Sequence, residues 1–251
     1  MTKVFLHGNP ETAAIWQPLA IELECLGVSD VLFLSPHGFG APSPPHWAAT
    51  QGDYADWLIE EIERIDAPVD IVGHDWGAGH VYGAIAQRPD LFASWAADCG
   101  GLLHPDYVWH DAAQAWQTPG VGEEAVDLLT HMEATDRAAV LESLGMTQSI
   151  AAEVAKHIDV EMGRCILALY RSAAQPAMRD LGARLATADL PRGAVIIPTA
   201  DTYPGTPDMA NDVARSLRAT TIELADRGHW WMIEDPVTAA RQLVNFWNAG
   251  N

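Results

Sequence analysis

The chain has 251 residues, of which 49% are hydrophobic and only 19% charged, against about 25% in ordinary globular chains. With ten tryptophans, this composition excludes disorder and describes a compact, apolar-rich protein of one large domain or a core with an insertion. Fourteen Lys and Arg stand against 34 Asp and Glu, a net charge of −20, which repels phosphate backbones and anionic membrane surfaces. No nucleic-acid or membrane partner is therefore expected, and the field favours a small, apolar, mostly neutral ligand. The three cysteines, Cys25, Cys99 and Cys165, lack CxxC spacing, so neither a disulfide framework nor a zinc site is indicated. The N-terminal stretch lacks the apolar core of an export signal, and no run reaches the roughly 18 apolar residues that span a bilayer, so a reduced, cytoplasmic setting is expected.

Along the chain, short apolar runs ending in Gly, His or Asp alternate with helical stretches, the pattern of βαβ units on a parallel sheet. The strands are expected at Lys3–Leu6, Val31–Leu34, Val69–Val72, Trp95–Ala97, Ala194–Ile197 and Thr221–Leu224. Helical spacing falls on Pro18–Cys25, Tyr54–Ile65, Gly79–Gln87, Met209–Leu217 and Val237–Trp247. Between about Leu102 and Leu185 no strand is expected, only helices near Glu123–Glu133, Ala138–Leu144, Ile150–Ile158 and Val160–Ser172. The expected organisation is a core of residues 1–101 and 186–251 with a helical cap, 102–185, inserted over the C-terminal strand ends, where such sheets bind ligands.

The sharpest motif is Gly73-His74-Asp75-Trp76-Gly77, an apolar strand running into a turn and then a helix. A strained strand-to-helix turn that lifts one side chain above the sheet tolerates only small neighbours, which Gly73, Gly77 and Gly79 supply. The raised residue is an aspartate. A carboxylate attacks saturated carbon bearing a leaving group and forms an ester, whereas a serine would acylate on carbonyl carbon. An ordinary N-cap is the competing reading of Asp75. In the order expected of such a triad, Asp201 follows the strand Ala194–Ile197, and His229 follows Thr221–Leu224. Asp98, closing the strand after the turn, is the rival acid or a turn cap. At the other end, His7-Gly8-Asn9-Pro10 closes the first strand, and the backbone N–H groups of Asn9 and Trp76 could pair to hold an oxyanion.

Taken together, His7-Gly8-Asn9-Pro10, Gly73-His74-Asp75-Trp76-Gly77, Asp201 and Gly228-His229-Trp230 resemble the α/β-hydrolase superfamily, specifically its aspartate-nucleophile branch of epoxide hydrolases and haloalkane dehalogenases. The resemblance implies the α/β-hydrolase fold, catalytic residues Asp75, Asp201 and His229, and no metal or organic cofactor. The family usually carries two further strands ahead of His-Gly. Their absence implies a sheet of about six mostly parallel strands with Val31–Leu34 as an exposed edge, which would invite pairing into a homodimer.

Two segments resemble the cap of the epoxide hydrolases: Ala115–Glu124, like their aromatic-Gln-x-Pro-Gly stretch, and Leu169-Tyr170-Arg171, like their Tyr-Arg helix. The resemblance makes Tyr170 the donor to an opening epoxide, against plain packing in an amphipathic helix. Ala112 stands where a second tyrosine is expected, leaving Tyr107, Trp109 or His110 as substitutes. Asn9 and Trp76 match instead the side-chain donors with which dehalogenases cradle halide. The expected activity is epoxide hydrolysis, with haloalkane dehalogenation as the alternative and a catalytically silent binding protein as the third reading. The His104–Asp111 run lacks a known metal-ligand spacing and reads as a polar loop.

Overall fold

In the computed structural model, residues 1–65 and 67–249 are described. Six strands form one sheet: β1 (Lys3–Leu6), β2 (Val31–Leu34), β3 (Val69–Gly73), β4 (Phe92–Ala97), β5 (Arg192–Pro198) and β6 (Thr220–Leu224). All five pairings are parallel, in the order β2-β1-β3-β4-β5-β6. Every residue of β3 is buried, as befits an interior parallel strand, and its one charged residue, Asp70, is paired with Lys3 and Ser94. β2 is an edge strand with its residues partly or fully exposed, as expected for Val31–Leu34.

Among the described residues there are twelve α-helices: α1 (Gln17–Cys25), α2 (Gln51–Glu63), α3 (Trp76–Gln87), α4 (Asp111–Gln117), α5 (Val121–His131), α6 (Ala134–Ser143), α7 (Gln148–Ala155), α8 (Val160–Ser172), α9 (Ala177–Thr187), α10 (Pro207–Ser216), α11 (Trp231–Glu234) and α12 (Pro236–Asn248). The chain moves one way from β1 to β2 and the opposite way from β2 to β3. Right-handed crossovers therefore put α1 and α2 on opposite faces. Accordingly α1 packs with α11 and α12, and α2 with α3. The reversal makes the gap between β1 and β3 the topological switch point, the place where such sheets leave a crevice at the strand ends. His7-Gly8-Asn9 leaves β1 there, and His74-Asp75 leaves β3.

Helices α4 to α9 all lie between β4 and β5. α4, α5 and α8 pack together, and α6 pairs with α7. The buried Arg137 of α6 donates to the carbonyls of Thr130, Met132 and Ala155, satisfying acceptors that the ends of α5 and α7 leave open. α9 packs instead on α3 and the Gly100–Leu103 turn, so by packing it belongs with the sheet layer rather than with α4–α8.

Three helices were outside the sequence expectation: α4, α9 and the single turn α11. α2 also starts three residues earlier than its apolar spacing suggests. Thr50 and Asp53 form a reciprocal capping box that draws polar residues into its first turn.

Candidate active site

Asp75 sits between β3 and α3 with φ 52° and ψ −122°, a conformation that costs on the order of 1–3 kcal/mol and is held only by its surroundings. Those surroundings leave no room for side chains. A Cβ on Gly77 would lie 2.2 Å from the Leu6 carbonyl oxygen, and one on Gly8 would lie 2.2 Å from Asp75 Oδ1. The Asp75 side chain makes no capping bond to α3, unlike an ordinary N-cap. Its Oδ1 instead accepts from the Asn9 backbone N–H at 2.7 Å.

His229 Nδ1 lies 2.9 Å from Asp201 Oδ2, and the second Asp201 oxygen accepts from the Tyr203 backbone N–H at 2.9 Å. The far side of the imidazole, Nε2, is 3.8 Å from Asp75 Oδ2. The three residues are thus brought together in the order acid, histidine, carboxylate. The rival acid Asp98 is elsewhere: it accepts from His74, from the Asp75 backbone N–H at 2.9 Å and from the Trp231 indole at 2.7 Å. Burial raises Asp75 to about 6, against the opposing pull of His229. Burial works against charge on His229, but the Asp201 carboxylate on Nδ1 carries it above its ordinary value, with Asp75 adding to the effect.

Over Asp75 lies a small aromatic cavity lined by Trp76, Tyr107, Trp109, His110, Tyr170 and Tyr203. Its volume is about 10 Å³, room for one water at most. Tyr170 of α8 packs edge-on against Trp76 at 5.1 Å and Trp116 at 4.7 Å between ring centroids. The Asn9 side-chain amide donates to its hydroxyl at 3.5 Å. The two cap-like segments also meet directly, through a bidentate pair of Arg171 with Glu123 at 2.8 Å.

Ala112 lies on the exposed side of α4, so nothing projects from that position toward the cavity. Among the proposed substitutes, Tyr107 is committed to the Tyr203 carbonyl at 2.8 Å. His110 caps α4 through Nδ1, which leaves Nε2 as its proton-bearing nitrogen, and the buried Trp109 indole N–H has no partner. Among the described residues, two side-chain groups bring three metal-ligand-type atoms within 4.8 Å of one another, Glu11/His74/His229 and Cys99/Asp201/His229, and both share His229.

Sequence reasoning missed Glu11, His74, Cys99 and Tyr203. Glu11 and His74 did offer a signal, charge-bearing residues flanking the two glycine-rich strand ends, but neither lies on a periodic face.

The alpha/beta hydrolase family profile matches residues 4–242. A haloalkane dehalogenase of Bradyrhizobium diazoefficiens is 26% identical over 98% of this chain and 86% of its own. An epoxide hydrolase of Caballeronia sordidicola is 32% identical over 36% of this chain and 28% of its own. Among solved structures, a haloalkane dehalogenase from Bradyrhizobium elkani superposes with a TM-score of 0.73 at 23% identity, covering 99% of this chain and 91% of the other. The sheet order, the strained turn after β3 and the family match over nearly the whole length lead to one assignment: the chain belongs to the alpha/beta hydrolase family, and is a hydrolase of that type.

Proposed function

We propose that this hydrolase acts through an alkyl ester on Asp75, and that it opens epoxides to vicinal diols. The observation that carries the reading is the position of Tyr170. Its hydroxyl oxygen accepts from the Asn9 side-chain NH2 group at 3.5 Å, and its ring packs edge-on against Trp76. With its oxygen accepting from Asn9, the phenol has its own proton free for a substrate oxygen. Burial, reinforced by Asp75, holds the phenol well above its ordinary pKa. Tyr170 therefore gives a hydrogen bond at first and completes proton transfer only to a strongly basic alkoxide.

In this mechanism the Asp75 carboxylate attacks the less hindered ring carbon. The carbon–oxygen bond breaks, and the released oxygen takes the Tyr170 proton while Asn9 and Trp76 stabilise the phenolate. His229, oriented by Asp201, then removes a proton from water. The resulting hydroxide adds to the ester carbonyl carbon, and the Asn9 and Trp76 backbone N–H groups hold the oxyanion. Collapse of the tetrahedral intermediate frees the diol and restores the Asp75 carboxylate, and the His229 proton returns to the Tyr170 phenolate through solvent.

A second reading, haloalkane dehalogenation, is favoured by the Asn9 side chain and by the longer match to a protein named haloalkane dehalogenase. In that case Asn9 and Trp76 hold the halide and Tyr170 is bystander packing. Diol formation from terminal epoxides and bromide release from bromoalkanes, assayed in wild type, Tyr170→Phe and Asn9→Ala, separate the two. The epoxide reading expects Tyr170→Phe to lose about 10²–10³ in diol formation. Diol formation unaffected by Tyr170→Phe, with bromide release lost in Asn9→Ala, establishes the dehalogenase instead.

A further inference from the structure

Beneath Asp75 and His229 lies a second set of ionisable side chains that the proposed chemistry does not use. Glu11, His74 and Asp98 are fully buried, and His74 bridges the other two: Nδ1 is 2.5 Å from Asp98 Oδ2, and Nε2 is 3.0 Å from Glu11 Oε1. Each carboxylate accepts from three donors, with at least one on each oxygen. Glu11 also receives the Gly8 backbone N–H at 2.8 Å and the Trp230 indole at 2.6 Å. Asp98 receives the Asp75 backbone N–H at 2.9 Å and the Trp231 indole at 2.7 Å. A neutral imidazole could donate to only one of its two neighbours, and a proton on either carboxyl would weaken an oxygen that also accepts an indole N–H. The proton therefore belongs on His74. One imidazolium between two carboxylates leaves a single net negative charge in the interior.

We infer that Glu11, His74 and Asp98 form a buried ion triad that positions the nucleophile turn, the Gly8–Asn9 loop and the segment after His229, and whose net negative charge keeps His229 basic. The contacts reach three of the segments that build the site at once. Gly8 follows β1, Asp75 follows β3, Asp98 closes β4, and Trp230 and Trp231 follow His229. The His74 and His229 rings are 4.6 Å apart, and polar atoms of Glu11, His74 and His229 lie within 4.8 Å of one another. The charged groups facing His229 are Asp201, Asp75, Glu11 and Asp98, with His74 as the opposing cation, and the titratable groups Cys99, His110 and Tyr203 also lie against it. Those facing His74 are Glu11, Asp98, Asp75, His229 and His7, the last of which burial holds neutral by lowering it to about 4. The triad acts through Asp75 and His229, so its members are positioning residues.

The test reads protonation directly and uses no substrate, so its outcome is independent of the leaving group. Ring-nitrogen NMR on histidine-labelled protein, with resonances assigned by single substitutions, should show both His74 nitrogens protonated from about pH 6 to pH 9, where an ordinary histidine loses its proton near 6.5. Glu11→Gln keeps a side-chain acceptor but removes the charge, and should lower the His229 midpoint by about half a unit or more. Glu11→Asp, which retains the charge, should keep the midpoint even if the melting temperature falls. Should Glu11→Gln fail to fold, Asp98→Asn makes the same charge change from the other end and should shift His229 in the same direction. A His74 that titrates like an ordinary histidine, or a His229 midpoint that Glu11→Gln or Asp98→Asn leaves in place, overturns the inference. Loss of stability without a shift means that the three side chains are structural only, and overturns it equally.

Discussion

His229 Nε2 stands 3.8 Å from Asp75 Oδ2, beyond hydrogen-bond length, so the imidazole is placed beside the carboxylate without being spent on it. That separation suits a base that acts on water next to an ester. His229→Gln should therefore still form the Asp75 ester and fail to hydrolyse it. Intact-mass measurement after mixing with substrate should show a stable adduct of substrate mass on the Asp75 peptide, with steady-state turnover down by about 10²–10⁴. Near wild-type turnover rules out the assignment of His229.

The raised values of Asp75 and His229 give the proposed reaction two acid limbs. Ester formation needs ionised Asp75 and falls as pH drops through about 6. Hydrolysis needs neutral His229, whose midpoint burial opposes but Asp201 lifts above the ordinary range, so it fails at higher pH than the first step. In rapid-quench experiments the alkyl-enzyme should accumulate as pH falls from about 8 toward 6. A level of ester that does not change over that range contradicts this ordering.

The same shift on Asp75 has a stability sign. Its folded pKa, about 6, exceeds the unfolded value, so ionisation disfavours the fold: the penalty is absent below the unfolded pKa and complete above the folded one. Asp75→Asn should be inactive yet melt higher than wild type at pH 8, by an amount on the order of 1 kcal/mol, with the difference vanishing near pH 4. Paired calorimetric scans at the two pH values decide it.

Asp201 and Asp98 should fail in different ways. Asp201→Ala releases the His229 ring and should cost about 10⁴ in kcat with the fold retained. Asp98→Ala leaves the buried His74 cation short of a carboxylate and strips the Asp75 and Trp231 N–H groups of their acceptor, a loss on the order of 3–5 kcal/mol. Urea unfolding and activity measured together distinguish them. A fully stable Asp98→Ala protein contradicts the packing argument.

Gly77→Ala tests the turn itself. The added methyl would meet the Leu6 carbonyl at 2.2 Å, and backbone can yield only by moving β1 away from the turn. The variant should lose at least about 2 kcal/mol, read as a fall in melting temperature, and with it the Asn9–Asp75 contact.

Much of this was legible from residue order. Interior strands such as Val69–Gly73 are mostly apolar because both faces are covered, with Asp70 the one charged residue, paired to Lys3 and Ser94, and Gly77 announces the turn because no other residue fits against Leu6. What escaped was of two kinds. The helix α4, Asp111–Gln117, is short and set by its His110 cap, so it carries too little apolar spacing to be seen. Glu11 and His74 are 63 positions apart, and their meaning lies in a contact between the ends of two strands. The Asn9–Tyr170 contact spans 161 positions, so no local pattern could have joined the residues on which the choice of leaving group turns.

A chamber of about 10 Å³ has a kinetic consequence. In the proposed reaction an organic substrate must first part the rings of Trp109 and Tyr170 from Trp76, against which they pack, so admission is a conformational event before it is a collision. Association should then saturate with substrate concentration at the opening rate of α4 and α8, and slow as solvent viscosity rises. Preference among substrates would be set partly at this threshold, by bulk and flexibility, before Asp75 meets a carbon atom.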